Sequence, residues 1–417
     1  PAGLAGQNIV VVDAGLFCSS LLGLQNADDR QIEFHSKVKV AVIYYQGLEY
    51  HDSNNPRYGG DVSRSTSMHY GQTPLNLDFN YDGLSRLDSV SGGYSKNLSY
   101  DLNGNILSLS RSGAGGTGVN LSYEYAGNRL MSVAHNGATL GVFTYDSQGN
   151  VINDGTKSLR YFYNLSNLPS LICTVTGNSA QGRIIYLWDG TKVLTQDGSG
   201  NGRVYRGSFV YNLTSLGVAG VESIAHDEGR FLAVQGASGT EFIDTWHVRD
   251  YLGSVRAVYD ITQEAEDVTD VESVILEQND YYAFGGRIDD LYQPYDQTNR
   301  YRYNGKEEQF NFGTPYIDYG ARQCDPILGR WFAQDPLAEK YYSFDAYNYC
   351  VNNPVMFVDP DGRFFGDPVR NPEIRRNLAS NLYGKEIRSD GRNHQGFDYY
   401  APAGTDVLSV KDGKVIE

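Results

Sequence analysis

The sequence predicts an all-β repeat fold, and three observations predict it: surplus glycine, abundant tyrosine and a tyrosine-led unit that recurs. Glycine accounts for 47 of 417 residues, about 11% against a usual ~7%. It supplies the positive-φ positions of tight turns, while the 33 tyrosines suit a pleated surface with one wet end. Together they call for many short strands joined by many turns.

The recurring unit begins near residue 70. Tyr81-Asp82-Gly83-Leu84 is followed by Tyr100-Asp101-Leu102-Asn103-Gly104, Tyr125-Ala126-Gly127-Asn128 and Tyr145-Asp146-Ser147-Gln148-Gly149. Tyr163-Asn164-Leu165-Ser166-Asn167 is a worn copy, and successive copies lie roughly 18–25 residues apart, a repeat-array period. Ahead of the first turn, alternation puts Leu77, Phe79 and Tyr81 on one face. Asp then bonds its own backbone and Gly takes positive φ. A lone hairpin of this kind is marginal, so the copies must stack to bury their faces.

Elsewhere the reading is plainer. Ile9-Val10-Val11-Val12 and residues 37–45 look like strands. Residues 110–118 and 196–202 read as flexible loops, and 264–272 as an acidic solvated excursion. The net charge of −16 argues against a nucleic-acid partner, and no apolar run approaches the ~18 residues of a membrane span. Four scattered cysteines make no disulfide framework.

The repeat units, with Asp250-Tyr251-Leu252-Gly253 and Tyr282-Ala283-Phe284-Gly285, resemble the YD repeats of RHS proteins. That resemblance implies a β-strand spiral wound into a hollow shell around a C-terminal payload. The Asp/Pro-rich stretch 316–362 resembles the RHS-repeat-associated core, a turn-rich plug that closes the shell. The implied division is an unassigned N-terminal β segment over 1–70, the shell over 71–310, the core over 311–363 and a further domain over 364–417. In toxin members the core is an aspartic autoprotease. Its pattern matches Arg322, Asp335-Pro336 thirteen residues on and Asp359-Pro360. Such chemistry needs two carboxylates that share a proton, with Arg322 balancing charge. The first motif continues Leu337-Ala338 where the toxins carry x-Gly, and both Asp residues would equally serve as turn caps. A cut is expected just after Gly362 or Arg363.

Beyond the core, Asn371-Pro372 with Ile374, Leu378 and Leu382 on one face predicts a helix over 372–383, stopped by Gly384. His394-Gln395-Gly396-Phe397-Asp398, then Gly404-Thr405 and Asp412-Gly413, resembles the opening of an M23 (LytM, lysostaphin-like) metallopeptidase, a small antiparallel β domain. The resemblance makes His394 and Asp398 zinc ligands. No His follows His394, so we read the chain as a fragment that lacks the third ligand and is inactive as a peptidase. The whole implies a secreted or surface toxin of a bacterium, acting on peptidoglycan or a Gly-containing peptide and countered by an immunity protein. The alternatives are a non-enzymatic cell-surface or adhesion protein, and a protein whose sole activity is to cut itself.

Overall fold

The computed structural model describes residues 11–13, 40–42, 44–49, 61–69, 71–113, 116–236, 239–260, 275–288, 299–309, 316–340, 344–363, 373–374 and 399–400. Among them, twenty-one strands from Tyr44–Glu49 to Ile275–Gln278 form one antiparallel ribbon. Each strand pairs with its neighbour in the chain, as hairpin repeats demand, and the ribbon closes on itself. At its seam His69 Nε2 lies 3.3 Å from Asp280 Oδ2, and Arg256 bonds both Asp250 (2.8 Å) and Asp280 (2.7 Å) in the interior. The ribbon takes in Tyr44–Glu49 and Arg64–His69, upstream of the first recognisable repeat. Val11–Asp13 and Val40–Val42 pair separately.

The strand Leu75–Tyr81 buries alternate residues, Leu75, Leu77, Phe79 and Tyr81, as its pattern predicts. In the Tyr-Asp copies the turn after the strand is built by the acid. Asp101 Oδ1 accepts the N–H groups of Asn103 (2.9 Å) and Asn105 (2.8 Å), and Gly104, at φ +89°, donates to the Asp101 carbonyl (3.2 Å). Asp82 and Asp250 accept the same two N–H bonds, and so does Asn164 in the worn copy. The tyrosine adds a link that the pattern alone does not disclose. Its hydroxyl reaches back one hairpin and donates to a backbone carbonyl: Tyr81 to Val62, Tyr100 to Leu87, Tyr125 to Ile106 and Tyr163 to Val151, at 2.6–2.9 Å. Tyr-Asp is therefore a two-part joint. The acid shapes the turn, and the phenol ties it to the previous repeat.

Three expectations need correction. Residues 110–118 are largely strand, in Ile106–Gly113 and Gly116–Ala126, because the ladder pairs Ser110 with Asn120 and Arg111 with Val119. Residues 196–202 join the paired strands Lys192–Asp197 and Gly202–Arg206 through another acid-built turn, in which Asp197 accepts the N–H groups of Ser199 and Asn201. In the segment expected to be helical, Glu373–Ile374 is a strand paired with Tyr399–Tyr400. Pairing across the chain overrides local helix preference there. The rest of 372–383 and the acidic excursion lie outside the described residues.

The core segment is as turn-rich as its Asp-Pro and Asn-Pro pairs require. Its strands Ile317–Asp318, Gln323–Asp325 and Arg330–Trp331 are two or three residues long and form one small sheet with Glu307–Glu308, which lies just ahead of the expected core boundary. Trp331, Tyr319, Tyr349 and Phe284 pack with Leu109, Leu130 and Ile172 of the ribbon in a single hydrophobic cluster. Ion pairs join plug to wall. Lys192 bonds Glu307 (2.7 Å) and Asp318 (2.5 Å), and Lys157 bonds Asp325 (2.7 Å). Asn352 and Asn353 donate to the carbonyls of Gly104 and Ser85 in two repeat turns.

Candidate active site

Arg322 stands just ahead of the strand Gln323–Asp325, Asp335 just past Arg330–Trp331, and Asp359 in the bend that ends the plug. The small sheet brings all three together. One guanidinium nitrogen, Arg322 Nη2, donates to Asp335 Oδ2 (2.7 Å) and Asp359 Oδ2 (3.1 Å). The two acceptor oxygens are thus no further apart than those two bonds laid end to end. The guanidinium is stacked 4.1 Å from the Trp331 ring centroid, which fixes its plane.

The other guanidinium atoms hold backbone. Nη1 donates to the Ala346 carbonyl (3.2 Å), and Nε donates to the Gly362 carbonyl (2.6 Å). On the far side of that peptide, Asp359 Oδ1 accepts the Gly362 N–H (2.7 Å) and the Arg363 N–H (3.2 Å). The Gly362–Arg363 peptide is therefore gripped at both ends, its oxygen by a cation and its nitrogen by a carboxylate. Gly362 sits at φ +77°, and a Cβ there would fall 2.9 Å from the Arg322 backbone nitrogen. Only glycine lets the chain pass this close.

Arg322 and Asp359 are buried and Asp335 partly so. Burial raises the Asp335 carboxyl above the ordinary range, against the pull of Arg322. Together with Asp345 and Cys350 the residues line a cleft whose free volume of about 20 Å³ is room for one water. Burial also pushes Asp345 up to about 6, with Arg330 pulling the other way. Sequence reasoning passed over Asp345. Its only signal was an acid two residues before a tyrosine, in the position of an Asx turn. Both motif acids also cap turns: Asp335 Oδ1 takes the Leu337 N–H (2.7 Å), and Asp359 Oδ1 takes three N–H groups. Capping and convergence on one cleft coexist. His394 and Asp398 lie outside the described residues; an imidazole and a carboxylate are donors that zinc accepts, two of the three that an open catalytic site requires.

No family model matches the chain. Toxin subunit YenC2 of Yersinia entomophaga is 25% identical over 212 residues, covering 47% of this chain and 21% of YenC2. The tRNA3(Ser)-specific nuclease WapA of Bacillus spizizenii is 27% identical over 273 residues, covering 57% of this chain and 11% of WapA. The crystal structure of TcdB2-TccC3-Cdc42 superposes with a TM-score of 0.51 at 16% identity, over 78% of this chain and 19% of that one. The shell shares its large antiparallel β fold with that structure, and its sequence is similar to those of the toxin subunit and the nuclease. The matched part of the chain spans about a fifth of YenC2 and about a tenth of WapA.

Proposed function

We propose that this chain is the shell-and-plug part of a secreted bacterial RHS toxin or surface effector, and that the plug cuts the chain between Gly362 and Arg363. The observation that carries the reading is the peptide held by Arg322 at its oxygen and Asp359 at its nitrogen, with Asp335 on the same guanidinium. Asp335, its carboxyl raised by burial, holds the proton the pair shares. A water in the cleft gives a proton to Asp359 as its oxygen bonds the Gly362 carbonyl carbon. Arg322 Nε steadies the charge that gathers on the carbonyl oxygen. The C–N bond then breaks as the Arg363 nitrogen takes the proton from Asp335. The new Gly362 carboxylic acid passes its remaining proton to the freed amine, so the products are a Gly362 carboxylate and an Arg363 ammonium.

Intact mass of the freshly expressed chain tests this. Wild type should give two pieces broken between Gly362 and Arg363, while Asp335→Asn and Asp359→Asn each stay whole. A wild-type chain that remains unbroken sinks the proposal.

The segment released would be the start of an M23-like peptidase aimed at peptidoglycan or Gly-containing peptides, held in check by an immunity protein. The motif around His394 and Asp398 supports this reading. Zinc, when bound, would polarise a peptide carbonyl and activate water. Zinc retained by a chain extended downstream, and lost on His394→Ala, is the expected result; equal zinc in both ends the reading.

A further inference from the structure

We infer that Asp345 is a positioning residue for self-cleavage: it fixes the turn whose Ala346 carbonyl holds Arg322 and the Asp335 backbone at once. The inference rests on the self-cleavage reading and adds a residue to it. Asp345 Oδ1 accepts the Tyr347 N–H (3.1 Å), and the Asp345 carbonyl accepts the Asn348 N–H (3.3 Å), which together close a tight turn. At its centre, the Ala346 carbonyl accepts from Arg322 Nη1 (3.2 Å) and from the Asp335 N–H (3.0 Å). One oxygen thus sets both the guanidinium and the backbone of a reacting acid.

The far side of the turn is already tied down. Tyr347 accepts the Trp331 N–H (3.0 Å), and Asn348 bridges to Arg330. The near side hangs on the Asp345 carboxylate, which is buried and borders the same cleft as Arg322, Asp335 and Asp359. The charged and titratable groups around it are Arg330, Arg322, Asp101 and Tyr125. If the turn loosens, the guanidinium loses one of its anchors, and Nε is free to swing off the Gly362 oxygen. The task of Asp345 is to accept a hydrogen bond, which a protonated carboxyl or an amide also does. Asn164 shows this within the same chain, its side-chain oxygen accepting the Ser166 N–H at 2.9 Å.

The test follows the fraction of full-length chain cut against time during cell-free synthesis. It uses wild type, Asp335→Asn, Asp345→Ala, Asp345→Asn and Asp345→Ser. Asp345→Ala should cut at least tenfold more slowly than wild type, Asp345→Asn within about threefold of it, and Asp345→Ser, a weaker acceptor, in between. Should Asp345→Ala fail to fold by far-UV circular dichroism, the order Asn before Ser carries the comparison. Equal rates for wild type and all three Asp345 variants overturn the inference. So does an Asn variant as slow as Ala, since the charge and not the hydrogen bond would then matter. Wild type cut and Asp335→Asn whole, with Asp345 indifferent, leaves self-cleavage standing and removes this inference alone. An uncut wild type removes both.

Discussion

Replacing Asp101 by alanine should open its turn by a predictable amount. The substitution deletes the acceptor of two backbone N–H bonds, from Asn103 and Asn105, and of the Asn105 side-chain amide (2.8 Å). Asn103 is exposed and can turn to water, so its loss costs little. Asn105 is buried, and its N–H is stranded outright, while its amide keeps weaker contacts to Gly127 and Asn128. One orphaned donor and one weakened donor amount to about 2–3 kcal/mol, which is about 30- to 150-fold in local opening. Amide hydrogen exchange across residues 101–106 reads this directly. Asp101→Asn keeps the acceptor for both N–H groups and loses only the bond to the Asn105 amide, so it should cost about 1 kcal/mol. Exchange unchanged in the Ala variant, or equally fast in both variants, would refute the account of the Tyr-Asp joint.

Other outcomes follow from the same structure. Tyr100→Phe, which removes the bond to Leu87, should destabilise by about 1 kcal/mol in denaturant melts. Lys192→Met leaves Glu307 with Arg300 as its remaining cation and removes the one ion-pair partner that Asp318 has among the described residues, and should cost about 3 kcal/mol at neutral pH. Burial tends to raise Glu307, but Lys192 and Arg300 override it and hold the carboxyl at about 2. That stabilisation is present above the unfolded carboxyl's range and lost as pH falls toward 2, so the wild-type advantage over Lys192→Met should shrink in acid. His247, lowered to about 3 by burial with Arg249 adding to it, is neutral when folded. The unfolded chain takes a proton near pH 6.5, so stability should fall by about 2 kcal/mol between pH 6.5 and 5. His247→Gln should remove that slope from melting curves. Arg322→Lys cannot span both carboxylates and the Gly362 oxygen, and should slow chain cutting about a hundredfold or more by intact mass.

The repeat was legible in the sequence because its information is local. Asp101 acts on residues two and four places along, so spacing alone exposes the turn. The phenol of Tyr100 acts thirteen residues back, and no local pattern says which carbonyl it meets. Charge was the hardest to read. Lys157 and Lys192 look like surface cations in sequence, yet each crosses from the wall to bond carboxylates of the plug more than a hundred residues away. In the candidate site, Arg322, Asp335 and Asp359 could be marked only through the resemblance to the RHS-repeat-associated core, whose pattern they match. The role of the Ala346 carbonyl is invisible to any reading of side chains, because the group that acts is backbone.

The grip of Arg322 on the Gly362 oxygen has one more consequence. Once the bond is cut, that oxygen belongs to a new chain end bearing full negative charge, already seated against a guanidinium walled in by Trp331. Such an end has little reason to depart. The plug would be a catalyst fit for a single use, stoppered by its own product and harmless to any neighbouring polypeptide.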